Sequence, residues 1–292
     1  MITVLRFIML IVLFGYSCGL LAAIPHAYNH WGFMSIMEID WQAYFAHFKW
    51  PALALGAAII ILSTRAGDVI IGLCLPTRKQ ALREQQKLDP ALERLRAVYQ
   101  DKFGLAMSPK AYVMDLPDIN GLAFGRKTIA VSSGLLKTAH DEEIAGVLAH
   151  EIGHLHHRDS FFSVAIMAAA YPVYILSILM GAFFFFTWGI GLVALLCFAP
   201  IFAALCLGGW LLIGLDMLLE KVIRWPLEYK ADLFAAEMGY APALISLFER
   251  IEDEDVRGQE GFLAKYAYSH PPTALRIDRL ERYLLRQSQS AA

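Results

Sequence analysis

Two histidines four residues apart are the first feature of this sequence that could do chemistry. They stand in His150-Glu151-Ile152-Gly153-His154, within a stretch from Asp141 to His157 where Ile144, Val147 and Leu148 recur at helical spacing. On a helix, positions i and i+4 lie one turn apart on the same face, so both imidazoles reach one ion. Glu151 projects towards the same opening and is suited to take a proton from a metal-bound water. A hydrolytic zinc site needs a third protein ligand and keeps its fourth position for water. A histidine six positions after His154 would be one source, but Ser160 stands there, and His157 occupies the position where that pattern has glycine. A carboxylate on a later helix is the other source. Glu228-Tyr-Lys-Ala-Asp232 carries two carboxylates four apart, hence on one face. Glu228 is the candidate ligand, and Asp232 the acceptor for a ligand histidine's second ring nitrogen. His157, three after His154, is a competing ligand candidate. His26, His30, His47 and His140 fall outside any metal spacing and read as structural or surface residues.

Several elements must position these groups. Asp141 reads as an N-cap, with Glu142 and Glu143 in the first turn, where carboxylates suit the helix dipole. Arg78 to Phe103 predicts helix with a break or start at Pro90. Ala111-Tyr-Val-Met, Leu122-Ala-Phe and Thr128-Ile-Ala-Val predict short strands separated by Asp, Asn and Gly turns. Leu227–Met238, Pro242–Asp253 and Thr273–Arg286 predict three further helices, with a frayed tail beyond.

Between the two half-sites lies apolar sequence. Phe161–Phe186 and Gly189–Leu219 hold no charge before Asp216, and the link around Thr187 and Trp188 is very short. Open backbone is costly in lipid, so these segments predict a tight transmembrane hairpin. A hairpin leaves and re-enters on one side, which returns Glu228 to the side that carries His154. Val4–Ile24 predicts another span, with Arg6 as its only charge; Ala22 and Ala23 leave a cleaved signal peptide as the rival reading. A second N-terminal span runs from about Ala43 to Leu62 and continues as an amphipathic helix, or else contains an Arg65–Asp68 pair. Lys and Arg concentrate in 78–158 and 221–286, whereas the loop 25–50 holds only Lys49. That asymmetry predicts four crossings with both termini and the catalytic segments on the cytoplasmic side.

Composition agrees. The 292 residues are 58% hydrophobic with mean hydropathy +0.49, against about 45–50% apolar residues, glycine included, for soluble domains. Net charge is −2, so no broad basic face for nucleic acid is implied. Cys18, Cys74, Cys197 and Cys206 all lie in apolar stretches and form no Cys-x-x-Cys pair, which argues against disulfides and against a cysteine zinc site.

These residues resemble a known family. Asn120-Gly-Leu-Ala-Phe-Gly, Ile129-Ala-Val-Ser-Ser-Gly-Leu-Leu, Val147-Leu-Ala-His-Glu-Ile-Gly-His with Arg158-Asp159, Glu228-Tyr-Lys-Ala-Asp232, and Ser269-His-Pro-Pro-Thr with Arg276 are similar to HtpX-like and CaaX-protease-like membrane zinc peptidases, in the family's order over about 90–285. The resemblance implies His150, His154 and Glu228 as ligands of one Zn2+ per chain and Glu151 as catalytic base. It implies a substrate-binding edge strand at Asn120, Gly121, Leu122 and Ala123, where Gly121 and Leu122 replace the family's more frequent Ala-Phe. It also implies His270 as a partner for the tetrahedral oxyanion, against a plain role in capping the turn before the last helix. The expected fold is mainly α: a four-helix transmembrane region with a zincin-like cytoplasmic α+β catalytic domain carrying a small β-sheet. Residues 1–77 form a membrane region with two spans; residues 78–292 form the peptidase domain, interrupted by the hairpin at about 161–219. The expected function is endoproteolysis of extended or misfolded polypeptide, in quality control or processing, by a multi-pass protein of a bacterial cytoplasmic membrane. The alternative is a catalytically silent membrane scaffold that retains the fold. The oligomeric state is not legible in the sequence.

Overall fold

A computed structural model describes residues 2–29, 41–187, 224–257 and 271–291. By contact the chain forms two compact units, one of residues 1–61 and 162–219, the other of 62–161 and 220–292.

The first unit holds α1 (Ile2–Asn29), α2 (Trp41–Leu62) and α7 (Asp159–Thr187) from Phe162 onward. Three stretches of these helices, Val4–Ala22, Phe45–Leu62 and Asp159–Leu176, are long and apolar enough to cross a bilayer. The one charge of the first stretch is shielded: Arg6 is buried, its guanidinium 5.3 Å from the Phe162 ring centre, beside an edge-on Phe7–Phe162 pair. Ser17 Oγ donates to the Ala169 carbonyl, so that hydroxyl is also satisfied within the apolar layer. The sequence expects a fourth span at Gly189–Leu219, which lies outside the described residues.

The second unit is helical with one small sheet. Its elements are α3 (Arg65–Cys74), β1 (Thr77–Arg78), α4 (Leu82–Phe103), β2 (Lys110–Met114), β3 (Gly121–Phe124), β4 (Thr128–Ser132), α5 (Ser133–Thr138), α6 (Asp141–His156), α8 (Trp225–Glu237), α9 (Ala241–Arg257) and α10 (Thr273–Ala291). The strand order is β1-β2-β4-β3, with β2 and β4 parallel and the outer pairs antiparallel. Among the described residues β3 is therefore an edge. The central strand β4 is buried along its whole length.

The α6 sequence explains its central place. Ile144, Leu148, Ile152 and Leu155 form an apolar face that packs with Leu88, Leu92 and Leu95 of α4, Val131 of β4, Phe234 of α8 and Leu244 of α9. Its first turn holds Asp141, Glu142 and Glu143, as expected, but the cap residue is His140, whose N–H donates to Glu143 Oε2 at 2.8 Å. α4 runs unbroken through Pro90, whereas the sequence reading puts a break or start there. Pro90 lies on the exposed face, so the carbonyl it leaves without a helical partner, that of Gln86, faces water. α10 continues to Ala291, beyond the expected end at Arg286.

Sequence reading assigns residues 62–77 to the membrane region; their contacts lie with the second unit. Thr64 caps α3 by accepting from Ala66 N, which ends α2 at Leu62. Ile71 and Leu75 then pack with Met114, Phe124 and Ala130 in a second small core, and β1 pairs with β2. Asp68 accepts from Arg126 N at 2.9 Å and fills the space at Gly125, whose φ of 62° suits glycine in the β3–β4 turn.

Candidate metal centre

α6 and α8 bring the two half-sites together. They cross closely at Gly153, where an added Cβ would stand 3.2 Å from Ala231 Cα and 3.2 Å from Phe234 Cβ. On that seam, His150 Nε2 and His154 Nε2 are 3.2 Å apart, and each lies 3.4 Å from a Glu228 carboxylate oxygen. The three residues form the metal-capable group among the described residues. His150 Nε2 faces Glu228 Oε2 and His154 Nε2 faces Oε1, and these spacings are of the order a tetrahedral ion sets: zinc–ligand distances of about 2.0–2.1 Å place neighbouring ligand atoms about 3.3–3.4 Å apart.

The outer ring nitrogens fix how the histidines face. His150 Nδ1 is 2.9 Å from Asp232 Oδ1, and His154 Nδ1 is 3.1 Å from Asp159 Oδ2. A carboxylate accepts, so each Nδ1 carries the proton and each Nε2 turns a lone pair inward. Two lone pairs and a carboxylate then converge on one point and call for positive charge. Protonation is one supply. Burial alone would depress the His154 pKa, but its hydrogen bonds to Asp159 and Glu228 and the nearby charges of Glu228 and Glu151 outweigh that and lift it to about 10. His150 moves upward for the same balance of reasons, with Asp232 and Glu228 opposing burial. A divalent cation is the other supply. Glu228 Oε2 also lies 4.0 Å from Arg276 Nη2, the guanidinium that holds Asp232.

Arg276 anchors Asp232. Its Nε donates to Asp232 Oδ2 at 2.8 Å and its Nη2 to Oδ1 at 2.6 Å, while its guanidinium lies 4.1 Å from the Phe248 ring centre. Burial alone would raise the Asp232 pKa; the charge of Arg276 and the hydrogen bonds from Arg276 and His150 bring it down to about 2. Asp232 therefore stays a carboxylate and holds the His150 ring. The sequence expects Asp232 to serve a histidine without saying which one. It assigns no role to Asp159 or Arg276, although both stand in its quoted motifs. Asp159 reaches His154 because α6 stops at His156 and Arg158 adopts φ 58°, which restarts the chain in a new direction as α7.

Glu151 is buried beside the triad, against β3. A Cβ at Gly121 would stand 2.7 Å from Glu151 Oε1, so only glycine leaves room for the carboxylate where it is. Gly121 and Ala123 thus face α6, whereas Phe124 enters the small core on the opposite side of the sheet with Leu122 packed against it. Asn120 sits at the strand's start, its N–H accepted by Ser132 Oγ at 3.0 Å. His157 and His156 turn away from the triad: His156 Nδ1 is 2.8 Å from Tyr99 Oη, and both rings pack around Phe234. His270 lies outside the described residues.

Residues 83–284 match the sequence pattern of Peptidase family M48. The Protease HtpX homolog of Methanocaldococcus jannaschii is 27% identical over 265 residues, which cover 79% of this chain and 87% of the relative. The crystal structure of Ste24p from S. mikatae aligns with a TM-score of 0.47 and 20% identity, over 89% of this chain and 64% of that one, so the chain spans less than two thirds of its length.

Proposed function

The chain belongs to Peptidase family M48 and is a metallopeptidase, and from that premise we propose a membrane-embedded zinc endopeptidase in which His150, His154 and Glu228 hold the ion and Glu151 moves the proton. The observation that carries this reading is the convergence of His150 Nε2 and His154 Nε2, 3.2 Å apart, on the Glu228 carboxylate, with Oε2 3.4 Å from the first and Oε1 3.4 Å from the second, and with both histidines oriented from behind by carboxylates. When bound, zinc acidifies a water and polarises a carbonyl. The residues do the rest. Glu151, held in a buried slot between α6 and Gly121, takes the water's proton and delivers it to the leaving amine. Asp232, Asp159 and Arg276 keep the ligands in one tautomer and one orientation. The edge of β3, from Asn120 to Ala123, holds an extended or misfolded polypeptide by backbone hydrogen bonds and lays it against Glu151. A role for His270 at the oxyanion rests on the resemblance alone.

The quality-control or processing role, the four crossings and a catalytic unit on the cytoplasmic side of a bacterial membrane belong to the same proposal. The three apolar helices and the one-sided Lys and Arg support the membrane part of it.

The test is cleavage of an unstructured polypeptide by purified protein with zinc, next to Glu151→Gln and Glu228→Ala. Wild type cuts; Glu151→Gln keeps its zinc by mass-spectrometric count but loses about 10²–10⁴-fold in rate; Glu228→Ala loses the metal. Wild-type cleavage no faster than that of Glu151→Gln would overturn the enzymatic reading in favour of a silent scaffold.

A further inference from the structure

The first turn of α7 touches the site twice. Asp159 holds His154, and the next residue, Ser160, donates from Oγ to the Ala123 carbonyl at 3.1 Å. The direction of that carbonyl follows from the ladder. Ser132 N donates to Asn120 O at 2.9 Å, and the antiparallel register pairs Leu122 with Ala130 and Phe124 with Thr128. Backbone groups alternate along a strand, so Asn120, Leu122 and Phe124 turn theirs towards β4, while Gly121 and Ala123 turn theirs outward. The outward groups are those that an added strand would use. Of the four on β3, the Ala123 carbonyl is taken by Ser160. Ser160 is itself buried, 7% exposed, and its hydroxyl occupies that oxygen where an incoming N–H would meet it.

We propose that Ser160 is a specificity-determining residue that ends the peptide-binding edge at Ala123 and so limits how many residues the enzyme reads on one side of the scissile bond. The inference rests on the reading that β3 binds the substrate. Gly121 lies against Glu151, so the reacting peptide bond sits nearest Gly121. Ala123 is two residues further along, about 6.8 Å at the usual strand rise. A bound peptide pairs with the N–H and carbonyl of Gly121 and gives its carbonyl to Ala123 N–H. Its next N–H on that side meets an oxygen already engaged by Ser160, which disfavours further pairing and turns the chain out of the sheet. Because Ser160 adjoins Asp159, the stop is set from the same helical turn that orients His154.

The experiment uses full-length protein in detergent and two sets of peptides built around one mapped cleavage site. In the first set, peptides are lengthened one residue at a time on either side. For wild type, KM stops improving on one side at the residue opposite Ala123. Ser160→Ala frees the carbonyl, and the next residue on that side lowers KM by about 2–10-fold, the worth of one backbone hydrogen bond, with kcat moving less. Ser160→Thr keeps a hydroxyl and follows wild type. Identical length profiles for wild type and Ser160→Ala, or a Ser160→Thr profile that follows Ser160→Ala, would sink the proposal. The second set needs no variant. Successive backbone nitrogens of a wild-type substrate are methylated. Methylation raises KM where the nitrogen donates to Gly121 and leaves it unchanged at the nitrogen that would face the Ala123 carbonyl; a rise at that nitrogen overturns the proposal. Failure of the underlying function looks different, since wild type would then cut no better than Glu151→Gln.

Discussion

His150 and His154 each work through both ring nitrogens, and the outer one sets the electrostatics of the inner one. Asp159 is the clearest case, because it lies against His154, its carboxylate 3.1 Å from Nδ1. In the metal-free protein the His154 pKa stands at about 10, above the ordinary histidine value of 6.5. A folded-state pKa raised in this way contributes stability that is complete below about 6.5 and is lost as pH rises through about 10. Asp159→Asn removes the hydrogen-bonded charge and brings the pKa down. Melting of the metal-free wild type is expected to drop between pH 7 and pH 10, and the drop to be shallower in Asp159→Asn. The same substitution is expected to weaken zinc binding by about 10–100-fold, measured by competition with a chelator. Equal melting slopes in the two proteins would show that Asp159 does not set the charge of His154.

At the scale of elements, the site depends on how closely α6 and α8 approach. Gly153 is the contact point, with backbone and Cβ atoms of α8 at 3.2 Å from the position a side chain would take. Gly153→Val has no flexible neighbour to push aside and must part the helices that carry His154 and Glu228. Such overpacking costs about 1–3 kcal/mol, and here it should also lower zinc content. Gly146 on the same helix is the control. A Cβ there meets the Leu244 side chain at 3.4 Å and Ala243 Cβ at 3.6 Å, close to ordinary contact. Gly146→Ala is expected to keep its zinc and to melt no lower than wild type, since alanine favours helix over glycine by about 1 kcal/mol. Thermal unfolding and metal counting on both variants check the pair, and a zinc-replete Gly153→Val would refute the packing argument. Gly153 is one of the two unspecified positions of the H-E-x-x-H motif, so the motif alone gives no reason for it.

For the whole molecule, the unit built from α1, α2 and α7 contains three helices able to cross a bilayer, and residues Phe7, Ile8, Ile11 and Val12 of α1 point their apolar side chains outward. That surface is stable only in lipid or detergent. Membranes washed at alkaline pH and then sedimented should retain the protein until detergent is added. Release by the wash alone would mean that these helices do not span.

Local physics made much of this protein legible. The metal motif lies on a helix because its periodicity is written within a few turns. The three described apolar helices follow from the length of apolar runs, and β2, β3 and β4 begin and end within a residue of the expected strands, since alternation and turn residues are neighbours in the chain. Glu228 and Asp232 share a face for the same local reason. What only the tertiary structure decided is which partner each group meets. Asp232 serves His150 across 82 positions, Arg276 reaches Asp232 across 44, and Ser160 reaches Ala123 across 37. Asp159 is only five residues from His154, but its contact depends on a turn at Arg158 that a helical pattern hides. Such pairings arise when separate elements bury their apolar faces together, and no window of sequence holds both halves of that interaction.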